Sequence, residues 1–319
     1  MPSAAADFWD REIAAPSHVS WMADPEVRVY INQSISESRH DWPMDWFQQR
    51  LARRTYPEGL SIGCGGGPLE RDVLRRGICE RMDAFDGSRA SIEVAIGEAK
   101  AAGLEDRVRY FVADFNNPVL PGHRYDIVFF HQSLHHVGKL EKLFRAVLRS
   151  LKPDGLLYLD EYVGPSRGEW DDRLMATRRS VFQMVPAERR RTPGLALPNP
   201  SDDPSEAIRS SEILPQLRIG FEIQSQRDYG GNLLSILHPA IRWDDDDESR
   251  TLIRRLIAAE KTLLTREPSY YSIILARPRR GMRRALASLE YFLAPKWRRL
   301  GRELRLLTTH PSKRPRVHA

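Results

Sequence analysis

Three glycines, Gly63, Gly65 and Gly67, alternate with other residues directly after a short apolar run that ends at Ile62. Such a loop lets backbone amides approach a ligand closely and aims the N-terminus of the following helix at it. Asp86 follows the next apolar segment, at a distance suited to a carboxylate that accepts hydrogen bonds from a ribose diol. These residues predict a site for a nucleoside-containing cofactor.

The spacing of the glycines distinguishes between cofactors. A dinucleotide fingerprint, G-x-G-x-x-G, counted from Gly63 and Gly65 requires glycine where this chain has Pro68. The observed pattern is G-x-G-x-G, completed by Gly67. A nicotinamide-dependent oxidoreductase is therefore the less favoured class of enzyme.

Further polar residues follow the later predicted strands, and we expect them to converge because ligands of open α/β sheets bind outside the carboxyl ends of the strands. They are Asp114 with Phe115, then His131, His135 and His136, and finally Asp160 with Glu161. A histidine near its ordinary pKa of ~6.5 could deprotonate a hydroxyl acceptor, although either member of the His135–His136 pair equally suits a loop-shaping role. Asp160, Glu161 and the following Tyr162 are rival candidates for the base or for contacts with a substrate.

Alternating strands and helices must position these residues. Apolar runs predict strands at 60–62, 81–85, 108–112, 126–130, 156–159, 219–225 and 270–276. Helices are predicted at 68–76, at 89–103 after a Ser88 cap, at 140–151 before a turn at 152–155, and through 252–263. The alternation predicts an α/β fold with a Rossmann-like, seven-stranded, mostly parallel sheet and helices on both faces.

We expect three parts along the chain. Residues 1–58, rich in tryptophan and without a clear strand, predict a helical N-terminal lid. Residues 59–278 form the cofactor-binding domain, in which the proline-rich insertion 164–215 follows strand 5 and suits a second lid. Residues 279–319 form a basic tail.

The charge lies mainly in this tail. Residues 277–319 carry a net charge of +11, which leaves −5 for the rest of the chain, so the body is not expected to bind nucleic acid. A partial apolar stripe through Met282, Leu286, Leu289 and Leu293 suits docking on an anionic membrane surface. It suits packing on the protein body, with a disordered basic end, equally well.

Composition narrows the class further. Hydrophobic residues make up 41% and charged residues 29% of the 319 positions, values typical of a soluble globular chain. We expect a cytoplasmic protein, because the chain has neither a secretory signal pattern nor an apolar run of ~20 residues. Cys64 and Cys79 are too few for a disulfide framework or a structural zinc site, and the acidic run 244–248 is interpreted as the start of a helix. No metal site is therefore predicted.

The segments LSIGCGGG, MDAFDGS, FVADF, YDIVFFHQSLHHV and LKPDGLLYLDEYVGPSR resemble, in order and spacing, motifs I to VI of class I S-adenosylmethionine-dependent methyltransferases. The resemblance covers residues 60–163 and implies S-adenosylmethionine as cofactor and S-adenosylhomocysteine as product. It implies that loop 63–67, including Cys64, passes the methionine moiety and that Asp86 binds the ribose. It also implies that Asp114 and Phe115 border the adenine.

By the same resemblance, His131 lies beside the methionine amino end. The family's usual carboxylate two residues before the first motif glycine is absent, because position 61 is serine. This departure leaves the partner of the methionine end open.

The function that the resemblance implies is methyl transfer, more favourably to oxygen than to nitrogen, on a small-molecule or glycan-like acceptor. Because the methyl group of a sulfonium is already activated, the protein needs to supply mainly alignment and, for a hydroxyl, a base. Two rival functions stay open. One is a catalytically inactive scaffold on the same fold, suggested by Ser61 and the basic tail; the other is an NAD-dependent oxidoreductase.

Overall fold

The computed structural model describes residues 4–14, 20–198 and 203–309. Parts of the predicted N-terminal lid (1–3 and 15–19), insertion (199–202) and tail (310–319) lie outside the described residues. Seven strands form one sheet in the order β3-β2-β1-β4-β5-β7-β6, in which β7 pairs antiparallel with both neighbours and the other pairs are parallel. The strands are β1 (Tyr56–Ile62), β2 (Cys79–Asp86), β3 (Val108–Val112), β4 (Tyr125–His131), β5 (Leu151–Tyr162), β6 (Phe221–Asp228) and β7 (Tyr271–Pro278).

Helices cover both faces of the sheet. They are α1 (Ala4–Ala14), α2 (Pro25–Ser36), α3 (Pro43–Gln48), α4 (Pro68–Arg75), α5 (Arg89–Ala101), α6 (Leu140–Ser150), α7 (Asp172–Gln183), α8 (Ile213–Gly220), α9 (Leu234–Leu237), α10 (Asp247–Leu263) and α11 (Gly281–Thr309). Alternate residues of β4 enter two separate cores: Ile127 and Phe129 pack with α2 to α5, whereas Val128 and Phe130 pack with α6, α8 and α11. The predicted Rossmann-like, seven-stranded fold is confirmed.

The strand order reverses between β1 and β4, which are neighbours in the sheet but not in sequence. At such a reversal the loops after the two strands diverge to opposite faces and leave a crevice at their carboxyl ends. Gly63 follows β1 and His131 ends β4, so both lie at this crevice. The topology therefore brings together the residues that the sequence analysis selected.

Several predicted boundaries change. Strand β1 begins at Tyr56, so the predicted boundary between residues 58 and 59 falls inside a strand. The predicted turn at 152–155 is wrong: these residues belong to β5, where the pairing jumps from Tyr125↔Leu151 to Ile127↔Leu156 and the extra residues bulge. Predicted strand residues Ile219 and Gly220 belong instead to helix α8. The acidic run begins a helix as predicted, with Asp246 capping α10.

The insertion and the tail both pack on the body. In the insertion, the buried Arg178 of α7 donates hydrogen bonds to the Asn232 carbonyl (2.9 Å) and to Glu267 (2.6 Å). In the tail, α11 buries Tyr291, whose hydroxyl donates to the Gln216 carbonyl at 2.6 Å. Thus the start of the tail is part of the folded body, while the apolar side chain of Leu286 stays exposed. Among the described helices, none has the length and apolarity to cross a bilayer.

Candidate functional site

The glycine loop after β1 takes a conformation that only glycine adopts easily. Gly63 and Gly67 have φ values of +72° and +76°. A Cβ atom on Gly63 would lie 2.4 Å from Ser133 Cβ, and one on Gly67 would lie 2.5 Å from the Tyr110 hydroxyl oxygen. Gly67 also immediately precedes α4, so the loop presents backbone amides and the N-terminus of that helix to the crevice.

Asp86, at the end of β2, lies against this loop as predicted. One carboxylate oxygen accepts a hydrogen bond from the Gly65 amide (3.0 Å) and the other from the Ser88 amide (2.9 Å). Burial raises the pKa of the Asp86 carboxyl, and these amide donors partly offset the effect. Each oxygen keeps a free lone pair, so the carboxylate can still accept hydrogen bonds from a ribose diol.

Helix α1 covers the same region. Asp10 accepts hydrogen bonds from the Ser88 hydroxyl (2.5 Å) and the Ala90 amide (3.1 Å), which ties α1 to the start of α5. Ile13 approaches Gly66 of the glycine loop, and the Trp9 ring packs edge-on against His136 with centroids 5.3 Å apart. The N-terminal helix thus lies over the loop that the sequence analysis selected for cofactor binding.

Asp114 and Phe115, which follow β3, have fewer contacts with the glycine loop and its surroundings than Asp86 has. The Asp114 carboxylate is exposed, and its oxygens accept hydrogen bonds from the Asn116 amide (2.8 Å) and the Asn117 side chain (2.5 Å). Phe115 is half-buried and lies next to Gly87, which follows Asp86. Of this predicted adenine-bordering pair, Phe115 therefore lies near the end of β2, while Asp114 is engaged within its own loop.

A buried carboxylate escaped the sequence analysis. Glu70, in the first turn of α4, is fully buried, and neither of its oxygens has a hydrogen-bond partner among the described residues. Burial raises the pKa of the Glu70 carboxyl to about 7, although the Ser61 side chain and the charge of His131 each lower it. The signal was present in the pattern, because positions 70, 73 and 74 fall on one helical face and two of them are apolar.

Beside the glycine loop lies a cavity of about 980 Å³. Its walls come from α2, α3, α4 and the ends of β4 and β5, and the residues are mostly apolar, including Met22, Ile31, Trp42, Met44 and Leu69. Its polar side is formed by His131, Asp160 and Tyr229, together with Arg28. This volume and this mixed lining suit a small organic ligand.

The polar side of this cavity is a connected network. The Tyr229 hydroxyl donates to Asp160 Oδ1 at 2.5 Å, and Gln132 Nε2 donates to the same oxygen at 3.2 Å. His131 Nδ1 lies 3.4 Å from Asp160 Oδ2. Enclosure lowers the pKa of His131, but the Asp160 carboxylate outweighs it and the net shift is upward.

The other three predicted catalytic residues lie elsewhere. Glu161 is fully buried; one oxygen accepts hydrogen bonds from the amides of Ser133 and Leu134 (both 2.7 Å), and the other lies 2.9 Å from His135 Nδ1. These contacts fix the loop after β4. His135 and His136 are buried beside Glu206, which lines a second, 320 Å³ cavity under the insertion. The predicted catalytic set is thus divided between two places.

The electrostatics of the two adjacent histidines differ. Desolvation lowers the pKa of His135, but Glu206 and Glu161 together raise it to about 8. Desolvation and the neighbouring His135 charge lower the pKa of His136 to about 4. Cys64 of the glycine loop is buried, which raises its pKa well above the usual range and keeps the thiol protonated, as expected of a small loop residue.

Comparison with known proteins agrees with this geometry. Residues 60–159 match the family model described as "Methyltransferase domain". The chain is 29% identical over 154 residues to the ubiquinone biosynthesis O-methyltransferase of Methylobacterium sp. (strain 4-46), covering 48% of this chain and 57% of that protein. It is 26% identical over 159 residues to the sterol 24-C-methyltransferase of Eremothecium gossypii, covering 49% and 40%. The chain thus spans about half the length of these curated relatives.

Solved structures extend the likeness beyond the matched segment. The geranyl diphosphate C-methyltransferase of Streptomyces coelicolor A3(2) aligns with a TM-score of 0.53 at 15% identity, covering 86% of this chain and 96% of that one. The [4+2]-cyclase SpnF aligns with a TM-score of 0.52 at 18% identity, covering 86% and 95%. At these identities the likeness shows the fold alone.

Fold and matched segment together define a class I methyltransferase domain, which confirms the resemblance of the sequence motifs. The family model matches residues 60–159, and β6 and β7 complete the same sheet beyond the matched segment. The related proteins are named for methyl transfer to oxygen and to carbon, and one for a cyclisation. The fold therefore does not decide the acceptor, which depends on the residues of this chain.

Proposed function

We propose that this chain transfers a methyl group from S-adenosylmethionine to a hydroxyl of a small-molecule acceptor and releases S-adenosylhomocysteine. One observation carries the proposal: the glycine loop with Asp86 adjoins a cavity of about 980 Å³ whose polar side holds a histidine paired with a carboxylate. The first part suits a nucleoside cofactor, and the second suits an acceptor that must lose a proton.

In this proposal the cofactor extends along the predicted residues. Loop 63–67 contacts the methionine moiety, Asp86 accepts hydrogen bonds from the ribose hydroxyls, and Phe115 with Asp114 borders the adenine. His131 ends β4 and lines the cavity, where it would face the sulfonium and the acceptor rather than the methionine amino end.

In this proposal Glu70 replaces the carboxylate that the family usually has at position 61. The family's usual carboxylate is replaced by Ser61. The Glu70 carboxylate is buried at the start of α4 without a hydrogen-bond partner among the described residues, and Ser61 and His131 are near enough to lower its pKa against the effect of burial. A buried carboxylate without a partner is costly, and the ammonium group of the methionine moiety is the cation that this place would receive. We therefore assign Glu70 to the methionine end.

His131 is the base in this mechanism and Asp160 positions it. Asp160 faces Nδ1 of the ring, which leaves Nε2 to accept the proton of the acceptor hydroxyl. S-adenosylmethionine, when bound, would supply a methyl group already activated by the sulfonium, so these residues would need to supply alignment of the acceptor and removal of its proton. The raised pKa of His131 strengthens it as a base and stabilises the imidazolium that forms.

The cavity wall favours an acceptor with an apolar body over an extended glycan. Met44 and Leu69 form part of that wall, and Arg28 places its guanidinium over the Trp42 ring at 4.7 Å from the centroid. A glycan-like acceptor remains the alternative, and a panel containing phenols and free sugars separates the two.

Calorimetric titration with S-adenosylmethionine, S-adenosylhomocysteine and NAD tests the cofactor. We expect both sulfur compounds to bind and NAD to bind at least about tenfold more weakly. NAD binding without a response to either sulfur compound would favour an oxidoreductase and overturn the proposal. Release of S-adenosylhomocysteine with a panel of hydroxyl compounds then tests transfer, and binding without any transfer would favour the inactive scaffold.

We propose that the helical segment before β1 and the insertion 164–215 act as lids over the two sides of the crevice. The contacts of Asp10 with α5 and of Arg178 with the segment before β7 support this. A cytoplasmic location is also proposed, supported by two free, buried cysteines.

Peripheral membrane contact through α11 is a further proposal. Met282, Leu286 and Leu289 are exposed on this helix, beside a segment with a strong positive charge. Co-sedimentation with vesicles containing phosphatidylserine should show binding that a Leu286→Glu, Leu289→Glu double variant weakens. Equal binding to vesicles of neutral phosphatidylcholine alone would contradict it.

A further inference from the structure

We propose that a cluster of two histidines and two carboxylates binds a divalent transition-metal ion of the zinc class. His135, His136 and Glu206 each offer one ligand atom, and these atoms lie within 4.8 Å of one another. Asp203 Oδ2, 3.4 Å from His136 Nδ1, is the proposed fourth ligand atom. The site joins the loop after β4 to the insertion and lies apart from the cavity that holds His131 and Asp160. It does not depend on the proposed function.

The spacing of the ligand atoms suits tetrahedral coordination. His136 Nδ1 lies 3.4 Å from Asp203 Oδ2 and 3.8 Å from Glu206 Oε2, and His135 Nε2 lies 3.7 Å from Glu206 Oε2. For bonds of ~2.0–2.1 Å to zinc, the edges of a tetrahedron are ~3.4 Å. The three distances lie within about 0.4 Å of that edge, and imidazole with carboxylate is a ligand set that zinc accepts.

An unpartnered oxygen points into the cluster. Only 7% of the Asp203 surface is exposed, and its Oδ2 has no hydrogen-bond partner among the described residues. Its Oδ1 accepts hydrogen bonds from both the amide and the hydroxyl of Ser205 at 2.7 Å, which fixes Oδ2 towards His136. A buried carboxylate oxygen without a hydrogen-bond partner lowers the stability of the fold unless a cation binds it.

Around His135 the surroundings resemble those of histidine ligands in metalloproteins. Its Nδ1 is bonded to the buried Glu161, which is itself held by two backbone amides. This carboxylate fixes the ring and leaves Nε2 facing the cluster, the arrangement by which a second carboxylate orients a metal-bound imidazole.

Charge and access also fit a cation. In the described part of the chain, neither Asp203 nor Glu206 forms an ion pair with a lysine or arginine. Two carboxylates thus face two histidines, and a divalent ion would neutralise them. The Glu206 side chain is 51% exposed and lines the 320 Å³ cavity, which gives an ion a path from solvent. Sequence reasoning missed the site because its histidines and its carboxylates lie about 70 residues apart in the chain.

Zinc binding to the full chain, after dialysis against a chelator, tests the proposal by calorimetry. We expect one Zn²⁺ per chain, and Co²⁺ in its place should show the visible absorption of a four-coordinate ion. Asp203→Asn and Glu206→Gln should each weaken Zn²⁺ binding by at least about 10–100-fold, while Glu188→Gln and His40→Ala, exposed residues outside the cluster, should not.

Glu206→Gln is the variant most certain to fold, because its side chain is half exposed, and circular dichroism checks this for each protein. Zinc binding that survives in both carboxylate variants would place the ion elsewhere and overturn the proposal. The absence of stoichiometric Zn²⁺ binding to the parent chain would also overturn it and leave an ion-paired histidine cluster. S-adenosylmethionine titrations of the same samples show separately whether the proposed function holds.

Discussion

Two adjacent residues of β5 serve opposite sides of the sheet. Asp160 lines the large cavity with His131 and Tyr229, where its oxygens meet hydroxyl and imidazole groups. Glu161 is fully buried on the other side, where backbone amides and His135 engage both oxygens. Both are carboxylates at the same strand end, so residue type does not distinguish them. The comparison teaches that burial and partners decide whether a carboxylate acts on a ligand or holds a loop.

The two histidine positions repeat the contrast. His131 ends β4 and lines the cavity, whereas His135 is buried behind the next turn. Gln132 adopts a positive φ of +51° between them and turns the chain away from the strand direction. One turn therefore separates the proposed methyl-transfer site from the proposed metal site.

The largest effect should come from the cavity side. Asp160→Asn removes the charge that orients and supports His131, and we expect the rate of methyl transfer to fall by about 100-fold or more. The affinity for S-adenosylmethionine should change by less than about threefold. Turnover and calorimetry measure the two quantities, and an unchanged rate would remove Asp160 from the mechanism.

The same chemical change one residue later should act on stability instead. Glu161→Gln replaces one acceptor oxygen by an amide that faces a backbone N–H or His135, and we expect a loss of about 2 kcal/mol in the free energy of unfolding. Urea denaturation measures it, with Glu188→Gln as a surface control expected within about 0.5 kcal/mol of the parent. A Glu161 variant as stable as the control would contradict the comparison.

Glu70→Gln should weaken S-adenosylmethionine binding by about 10–100-fold at pH 8, since a charge-assisted hydrogen bond contributes about 1.5–3 kcal/mol. In the parent chain the affinity should also fall as the pH drops below about 7, where Glu70 takes up a proton. The Gln variant should lack this pH dependence. Calorimetry from pH 6 to pH 8 compares the two proteins.

The free energy of unfolding of the parent chain should show the opposite pH dependence to that of its affinity. Because the folded pKa of Glu70 lies above the usual 4.5, the unfolded chain loses its proton first, and parental stability should fall as the pH rises from 4.5 to about 7. This contribution, on the order of 3 kcal/mol, is absent from the Gln variant. Parallel stability curves for the two proteins would mean that Glu70 is ionised normally.

The smallest effect should come from the lid. Asp10→Ala removes the acceptor that ties α1 to Ser88 and Ala90, and we expect S-adenosylmethionine to dissociate about threefold faster. Asp7→Ala changes an exposed acid on the same helix and serves as the matched control. Stopped-flow measurement of dissociation distinguishes the two variants, and equal rates would argue against a lid role for α1.

Much of the fold was predictable because local pattern and tertiary role agree there. The strand Val108–Val112 and the Ser88 cap of α5 match the prediction, since both depend on side chains within a few residues. The prediction of a turn at 152–155 is wrong because a Pro-Asp-Gly sequence can also form a bulge. Here β4 pairs with β5 both before and after these residues. That outcome depends on a partner strand distant in sequence.

By itself the sequence determined the class of domain, the glycine loop and Asp86, because each depends on spacing within one strand–loop–helix unit. Only the tertiary structure decided that Glu70 is buried without a hydrogen-bond partner among the described residues, and that Asp160 lines the large cavity while Glu161 is buried against backbone amides and His135. It also decided that His135 and His136 meet Glu206, and that His136 meets Asp203. The physical reason is that burial and charge pairing arise from segments far apart in the chain. A residue's type limits what it can do, and its tertiary neighbours select among those possibilities.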